Sequence, residues 1–203
     1  MSYYYPVAKS RSLDRVELED ITGIVVEQLC DIIDTLDHET WVEGMAWYER
    51  ANSYALKLSD KHNVPYAHVA GIIAALSPLV SWEDNLKGAH SILVDGEQAS
   101  TMALGSNVVK ALWISDGSDP DTILGGRKVR SFWLNISQPH NSLDVTLDNH
   151  MVRALGLPSH RYLERKGVYD AVSDGFRIVA NEHGVMPHQL QAAVWIHVRG
   201  GQS

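Results

Sequence analysis

The sequence predicts an all-α protein. Apolar residues recur every three or four positions over long segments, which is the period of a helix with one buried face. No segment sustains the strict alternation of apolar and polar residues that indicates a half-buried strand. Proline and glycine stand where the periodic segments begin and end, as they do at helix termini.

The first 12 residues show no helical period and are predicted to form an N-terminal arm, with residues 13–203 forming a single helical domain. A first amphipathic helix is predicted over residues 14–36 and a second over 40–61. The segment 66–76 is apolar on nearly all sides, which is typical of a central helix surrounded by others. The remaining helices are predicted over residues 82–94 after a Ser81 cap, 98–114 with a break near Gly105, 127–136, a short segment after Asp148, 168–182, and a last segment from Pro187.

Composition excludes several classes of protein. The 203 residues are 45% apolar, enough for a sizeable core, and no apolar run approaches the roughly 20 residues needed to cross a bilayer. A cytoplasmic protein without membrane contact is therefore expected. The single cysteine, Cys30, cannot form an internal disulfide and is predicted to be buried in the first helix.

The charge distribution bears on nucleic-acid binding. A net charge of −8 disfavours tight, non-specific binding to a DNA duplex, which relies on Lys and Arg at the phosphates. Basic residues are nevertheless concentrated in the second half of the chain, so a local basic patch remains possible. The ten histidines show neither the His-Glu-x-x-His pattern nor a His-x-Glu with paired cysteines, so no metal and no other cofactor is predicted.

Three segments carry residues suited to chemistry. A Gly-rich turn, Gly125-Gly126, leads into a predicted helix that carries Lys128. Asp148 follows twenty positions later, directly before another helix start, in the context Leu147-Asp148-Asn-His150-x-x-Arg153. The third segment is the last helix, which contains Gln191 and Trp195.

This arrangement resembles the helix-hairpin-helix DNA glycosylase superfamily, which includes endonuclease III and oxoguanine glycosylase. In that family a Gly-rich hairpin ends in a catalytic lysine, and an essential aspartate follows just under twenty residues later. The chain is also similar to small uncharacterised bacteriophage proteins that share a Ser-Pro…Trp…Asn segment, here Ser77 to Asn85. This similarity implies a phage origin, in which case the expected location is the host cytoplasm. The resemblance covers roughly residues 66–200 and implies a glycosylase-like helical fold with two lobes around a groove.

The resemblance also implies the roles of the site residues. Lys128 would be the catalytic nucleophile or substrate-binding amine, and Asp148 the electrostatic stabiliser or base. The hairpin residues Gly125, Gly126 and Arg127 would contact the nucleic-acid backbone. The residues expected to bind the substrate are Trp82, Asn85, Arg130, His150, Arg153 and Gln191. The expected activity is N-glycosidic bond hydrolysis on a nucleobase, with DNA or a nucleotide as partner.

Two alternatives remain open. The hairpin is shorter than the family pattern and lacks its proline, which favours a free nucleotide, or a transferase that modifies a base in phage DNA with a small-molecule co-substrate. The other alternative is a non-catalytic protein that binds nucleic acid or a host protein. The oligomeric state is not predicted by any feature of the sequence.

Overall fold

The computed structural model describes residues 4–6 and 12–200, and every regular element in this part of the chain is helical. Helix makes up 71% of the structure and the described residues contain no strand, which confirms the all-α class. The α-helices are α1 (Arg15–Ile33), α2 (His38–His62), α3 (Tyr66–Leu76), α4 (Trp82–Asp95), α5 (Gly105–Ser115), α6 (Pro120–Ile123), α7 (Arg127–Ser137), α8 (Asn149–Ala154), α9 (Val168–Glu182) and α10 (Pro187–Val198). Two 3₁₀ segments, η1 (Gly96–Gln98) and η2 (His160–Glu164), accompany them.

The chain divides into two compact units, and the division falls inside α2, between Trp47 and Tyr48. The first unit comprises the described residues of Met1–Trp47 and Leu143–Ser203. The second unit is Tyr48–Ser142.

The core of the first unit forms mainly between α1 and α9. A capping box starts α1: the Glu17 backbone N–H donates to Asp14 Oδ1 at 3.0 Å, and the Asp14 backbone N–H donates to Glu17 Oε2 at 2.9 Å. Along α1, Ile21 and Val25 are fully buried. Gly175 of α9 lets the two helices approach closely, because a Cβ at that position would lie 2.5 Å from the Val25 side chain.

The face of α1 differs from the sequence prediction at one residue. Cys30 is exposed, so its predicted burial is wrong. Its neighbours Gln28 and Leu29 are buried instead. Because successive residues of a helix point about 100° apart, Cys30 lies outside the face that buries these two residues. Burial of Gln28 is explained by a hydrogen bond, since its Oε1 accepts the hydroxyl of Tyr5 at 2.5 Å.

The predicted N-terminal arm lies partly outside the described residues, which include residues 4–6 and Ser12 of the arm. Tyr5 is only 3% exposed, and its hydroxyl also lies 2.8 Å from the carbonyl oxygen of Leu155 at the end of α8. Its ring packs edge-on against Tyr162, whose hydroxyl donates to the Pro6 carbonyl at 2.8 Å. Burial raises the pKa of Tyr162 to about 12, so this hydroxyl remains a donor at neutral pH.

The second unit is built around α3. All residues of α3 from Val69 to Leu76 are buried, as expected for a central helix, and α4, α5, α6 and α7 pack against it. The indole of Trp133 on α7 donates to the carbonyl oxygen of Ala67 at 2.9 Å. Gly71 permits close contact with α6, since a Cβ there would lie 2.9 Å from Pro120.

The predicted helix over 98–114 is shorter in the structure. Helix α5 begins only at Gly105, and η1 ends at Gln98. The prediction of helix for residues 99–104 is therefore wrong. Side-chain hydroxyls replace helical hydrogen bonds in this segment: the backbone N–H of Ser100 donates to Ser91 Oγ, and that of Ala103 donates to Thr101 Oγ1. Local hydroxyl acceptors therefore compete with helix formation here.

A basic cluster lies on α2 and α4 within the second unit. Lys61 Nζ lies 3.1 Å from His90 Nε2, and the rings of His62 and His90 meet edge-on at 5.3 Å. Burial, then the charge of Lys61 and the presence of His90, lower the pKa of His62. The folded protein therefore binds a proton at His62 less readily than the unfolded chain does.

This cluster predicts a dependence of stability on pH. The unfolded chain takes up the His62 proton as the pH falls below about 6.5, so the free energy of unfolding falls in that range. Between about pH 7.5 and about pH 5.5, the wild type is expected to lose more stability than the His62→Gln variant in urea unfolding. His38→Gln, at the exposed start of the same helix, is the control for replacing a histidine by glutamine in α2. Identical slopes for wild type and His62→Gln would contradict the prediction.

Candidate functional site

Asp148 is the N-cap residue of α8, and its carboxylate is held from two sides within the first unit. Oδ1 accepts the backbone N–H of His150 at 2.8 Å and that of Met151 at 3.0 Å. Oδ2 lies 3.3 Å from the indole Nε1 of Trp195, a long hydrogen bond. The side chain is half-buried. The carboxylate therefore has a fixed direction while part of it remains accessible.

The segment that leads to Asp148 is fixed by α9. The hydroxyl of Tyr169 donates to the Val145 carbonyl at 2.8 Å and accepts the backbone N–H of Leu147 at 3.2 Å. Val145 and Leu147 are each 1% exposed. These contacts place an extended stretch of backbone directly before the helix start, which is the conformation that an N-cap residue requires.

Trp195 of α10 lies at the centre of a cluster of aromatic and charged side chains in the first unit. Its ring meets the ring of Trp47 edge-on at 6.2 Å and the ring of His150 edge-on at 6.1 Å. The guanidinium of Arg199 lies over the same indole, 4.3 Å from the ring centroid. We refer to Trp47, Asp148, His150, Trp195 and Arg199 as the Trp195 cluster.

A close approach of α2 and α10 brings Trp47 to this cluster. A Cβ at Gly44 would lie 2.4 Å from the Cα of Ala193, so only glycine fits at this contact. One residue further, the Met45 carbonyl accepts a hydrogen bond from Gln189 Nε2 at 3.0 Å. Trp47 is three residues beyond Gly44 and so lies on the same face of α2.

Two other predicted residues lie on the helices of this cluster. Arg153 is three positions after His150 on α8, is exposed, and makes no side-chain hydrogen bond or ion pair with any described residue. Gln191 precedes Trp195 by one turn of α10 and is only 4% exposed. The first unit therefore brings together Asp148, His150 and Trp195, with Arg153 on the helix of His150.

The second unit contains the predicted hairpin. Gly126 is the N-cap residue of α7 with φ of +80°, a conformation that favours glycine, and Gly125 beside it is exposed. Arg127 is exposed and Lys128 is half-buried in the first turn of α7. The Lys128 amine makes no hydrogen bond or ion pair with any side chain in the described part of the chain.

The remaining predicted residues of the second unit have structural partners. Arg130 forms an ion pair with Asp121, which ties α7 to α6. Trp82 packs edge-on against Phe132 at 6.4 Å. Asn85 is 2% exposed and its Nδ2 donates to the Ile73 carbonyl at 3.0 Å, which joins α4 to α3.

Sequence reasoning missed two members of the Trp195 cluster, Trp47 and Arg199. A signal for Arg199 is present, because residues four apart on a helix lie on the same face and Arg199 follows Trp195 at that spacing. No comparable signal identifies Trp47, which reaches Trp195 only through the packing of α2 on α10.

Two kinds of feature are absent from the described residues. None of the helices there is both long enough and apolar enough to span a membrane. Within the same residues, no three side chains of His, Cys, Asp or Glu form a group that could hold a metal ion.

The fold and the Trp195 cluster define an all-α protein with a carboxylate fixed beside an indole. The chain matches the model of the Family of unknown function (DUF7178) over residues 16–202, and it belongs to that family. No curated protein and no solved structure matches the chain. The family description names no activity, so a function must be argued from the residues themselves.

The contact between Gly44 and Ala193 yields a stability prediction. Gly44→Ala forces a methyl group into the Ala193 backbone, and we expect a loss of about 1–3 kcal/mol in the free energy of unfolding measured in urea. Gly23→Ala is the matched control, because Gly23 is in the middle of α1 with nothing within 4 Å of a Cβ. That control should gain about 0.5–1 kcal/mol from helix propensity. Equal stability of the two variants would refute the proposed tight contact.

Proposed function

We propose that this chain is a glycosylase-like enzyme that acts on the N-glycosidic bond of a nucleobase. The observation that carries the proposal is the Asp148 carboxylate, which two backbone N–H groups and the Trp195 indole hold in a fixed direction. Breaking an N-glycosidic bond builds positive charge on the sugar. A carboxylate that is already oriented stabilises that charge without reorganisation.

The aromatic side chains beside Asp148 support a nucleobase as substrate. Trp47, His150 and Trp195 form one group of rings next to the carboxylate. Planar bases stack on aromatic side chains, and enzymes that act on a base extrude it into a pocket of this composition. The net charge of −8 favours a nucleotide or a single strand over a duplex.

We propose that Lys128 serves as a nucleophile or as a substrate-binding amine. Support comes from its position after the Gly125-Gly126 turn and from an amine that no acidic side chain among the described residues engages. As a nucleophile, the neutral amine forms a bond to the anomeric carbon, and the electron pair of the glycosidic bond leaves with the base. The proton released by the amine passes to the departing base. Lys128 belongs to the second unit and Asp148 to the first, so each of the two residues is tested with its own variant.

The role of Asp148 is tested with the Asp148→Asn variant. Asparagine retains an oxygen that can cap α8, so the fold should be preserved, while the negative charge is removed. We expect release of base to slow by about 100-fold or more. The measurement is mass spectrometry of single-stranded oligonucleotides, duplexes and free nucleotides, with natural and modified bases, incubated with the purified protein and a small-molecule extract.

The outcomes of this assay separate the alternatives. An unchanged rate in Asp148→Asn would exclude a charge-dependent role for the carboxylate. A mass gain on the base in place of base loss would identify a base-modifying transferase. If neither loss nor gain occurs with any substrate, the enzymatic proposal fails and a non-catalytic binding protein is the better description.

Lys128→Ala tests the amine in the same assay. We expect the variant to fold normally, because the Lys128 side chain contacts no described acidic partner, and to lose at least about 100-fold in rate if the amine is the nucleophile. In the amine adduct, the bond between the anomeric carbon and the ring oxygen then breaks, the remaining N–H proton passes to that oxygen, and a Schiff base forms. Added borohydride reduces the Schiff base, so it should give a covalent adduct with the wild type and none with Lys128→Ala. Lys110→Ala, on α5 of the same unit, is the control for charge and should retain the wild-type rate. Full activity in Lys128→Ala would remove the lysine from the mechanism.

A further inference from the structure

Arg199 is held on the Trp195 ring without being neutralised by an acid. Its guanidinium lies 4.3 Å from the indole centroid, and the side chain is exposed. No carboxylate among the described residues forms an ion pair with it. A guanidinium that lies over an aromatic ring and has no acidic partner retains N–H donors for a ligand, and these match the oxygens of a phosphate.

Other arginines of the chain are used differently. Arg15 pairs with Glu19, Arg130 with Asp121, and Arg177 with Asp174. These pairs tie side chains together within the protein. Arg199 instead combines an aromatic platform with donors that no described acid occupies, which is the arrangement of a ligand-binding arginine.

Two further basic side chains lie on the neighbouring helix. His150 of α8 contacts the same indole as Arg199, with its ring centroid 6.1 Å from that of Trp195. Arg153 lies three positions further on α8, exposed and without an acidic partner in the described part of the chain. A tetrahedral phosphate can accept hydrogen bonds on several oxygens from different directions, whereas a carboxylate is satisfied by one guanidinium.

Asp148 is the one acidic member of the Trp195 cluster. Its oxygens accept hydrogen bonds from two backbone N–H groups and from the indole N–H. The positive ends of these three N–H dipoles therefore point at the carboxylate and partly offset its negative charge. Arg199 contacts the ring of Trp195, whereas Asp148 contacts its Nε1 edge. A phosphate bound at the guanidinium would therefore approach the indole from its face, whereas the carboxylate lies at its Nε1 edge.

We infer that Arg199, supported by Trp195, binds a phosphate group of a nucleotide, with His150 and Arg153 as further donors. The inference rests on the proposed function in naming a nucleotide, and it adds the group that recognises the phosphate. Binding can be measured without any reaction, so failure of this inference and failure of the proposed chemistry are distinguishable.

The test is calorimetric titration of the full chain with inorganic phosphate, thymidine, thymidine 5′-monophosphate and a short single-stranded oligonucleotide. The monophosphate or the oligonucleotide should bind, and thymidine, which lacks the phosphate, should bind at least about tenfold more weakly. Arg199→Ala should weaken binding of the phosphate-bearing probe at least about tenfold while leaving thymidine binding unchanged. Arg199→Lys keeps the charge but loses the planar fork, so it should restore binding only in part.

Arg165→Ala is the matched control, because Arg165 also lies over an aromatic ring, 5.8 Å from Tyr162, and the substitution changes the net charge equally. It should bind the phosphate probes like the wild type. Equal weakening in Arg165→Ala and Arg199→Ala would reduce the effect to net charge and overturn the inference. Absence of binding by every phosphate probe to the wild type would overturn it as well. Preference for the monophosphate or for the oligonucleotide distinguishes a free nucleotide from a strand.

Discussion

The close contact of α2 with α10 at Gly44 is the constraint on which the Trp195 cluster depends. The backbone of Ala193 occupies the space that any side chain at Gly44 would need. Because the helices are so close, Trp47 reaches the indole of Trp195, and Gln189 reaches a backbone carbonyl of α2. The indole in turn contacts Asp148 and Arg199, so one glycine influences both the carboxylate and the cation.

Asp148 has a structural role as the N-cap of α8, and the proposed function gives the same side chain a chemical role. Capping α8 uses Oδ1, and the indole contact uses Oδ2 at a longer distance. The cap fixes the carboxylate to the backbone, and Tyr169 fixes the preceding residues to α9. A carboxylate held in this way does not lose rotamer freedom when a substrate binds, which is the property that electrostatic stabilisation of a transition state requires.

Local sequence signals predicted local structure well. The helices over residues 66–76 and 168–182 have the predicted bounds, and Ser81 and Asp148 are N-caps as their positions before apolar helices indicate. Contacts between distant segments were not predictable, because helical periodicity shows which face is buried but not which helix covers it. Trp47 is the clearest case, since its partner is about 150 positions away. Asn85 and Arg130 are predicted to bind the substrate from their residue types. In the structure, Asn85 donates to the Ile73 carbonyl and Arg130 pairs with Asp121, and helical periodicity does not predict either contact.

The acidic net charge of the chain is compatible with the phosphate site proposed at Arg199, because the two act at different distances. At physiological salt, exposed charges more than about 8 Å apart are largely screened, so a small anion at Arg199 responds mainly to its neighbours. A long duplex contacts a wide surface and experiences the net charge of −8, which opposes its binding. The phosphate site proposed at Arg199 would therefore select by size: it would favour a nucleotide or a short single strand over a long duplex.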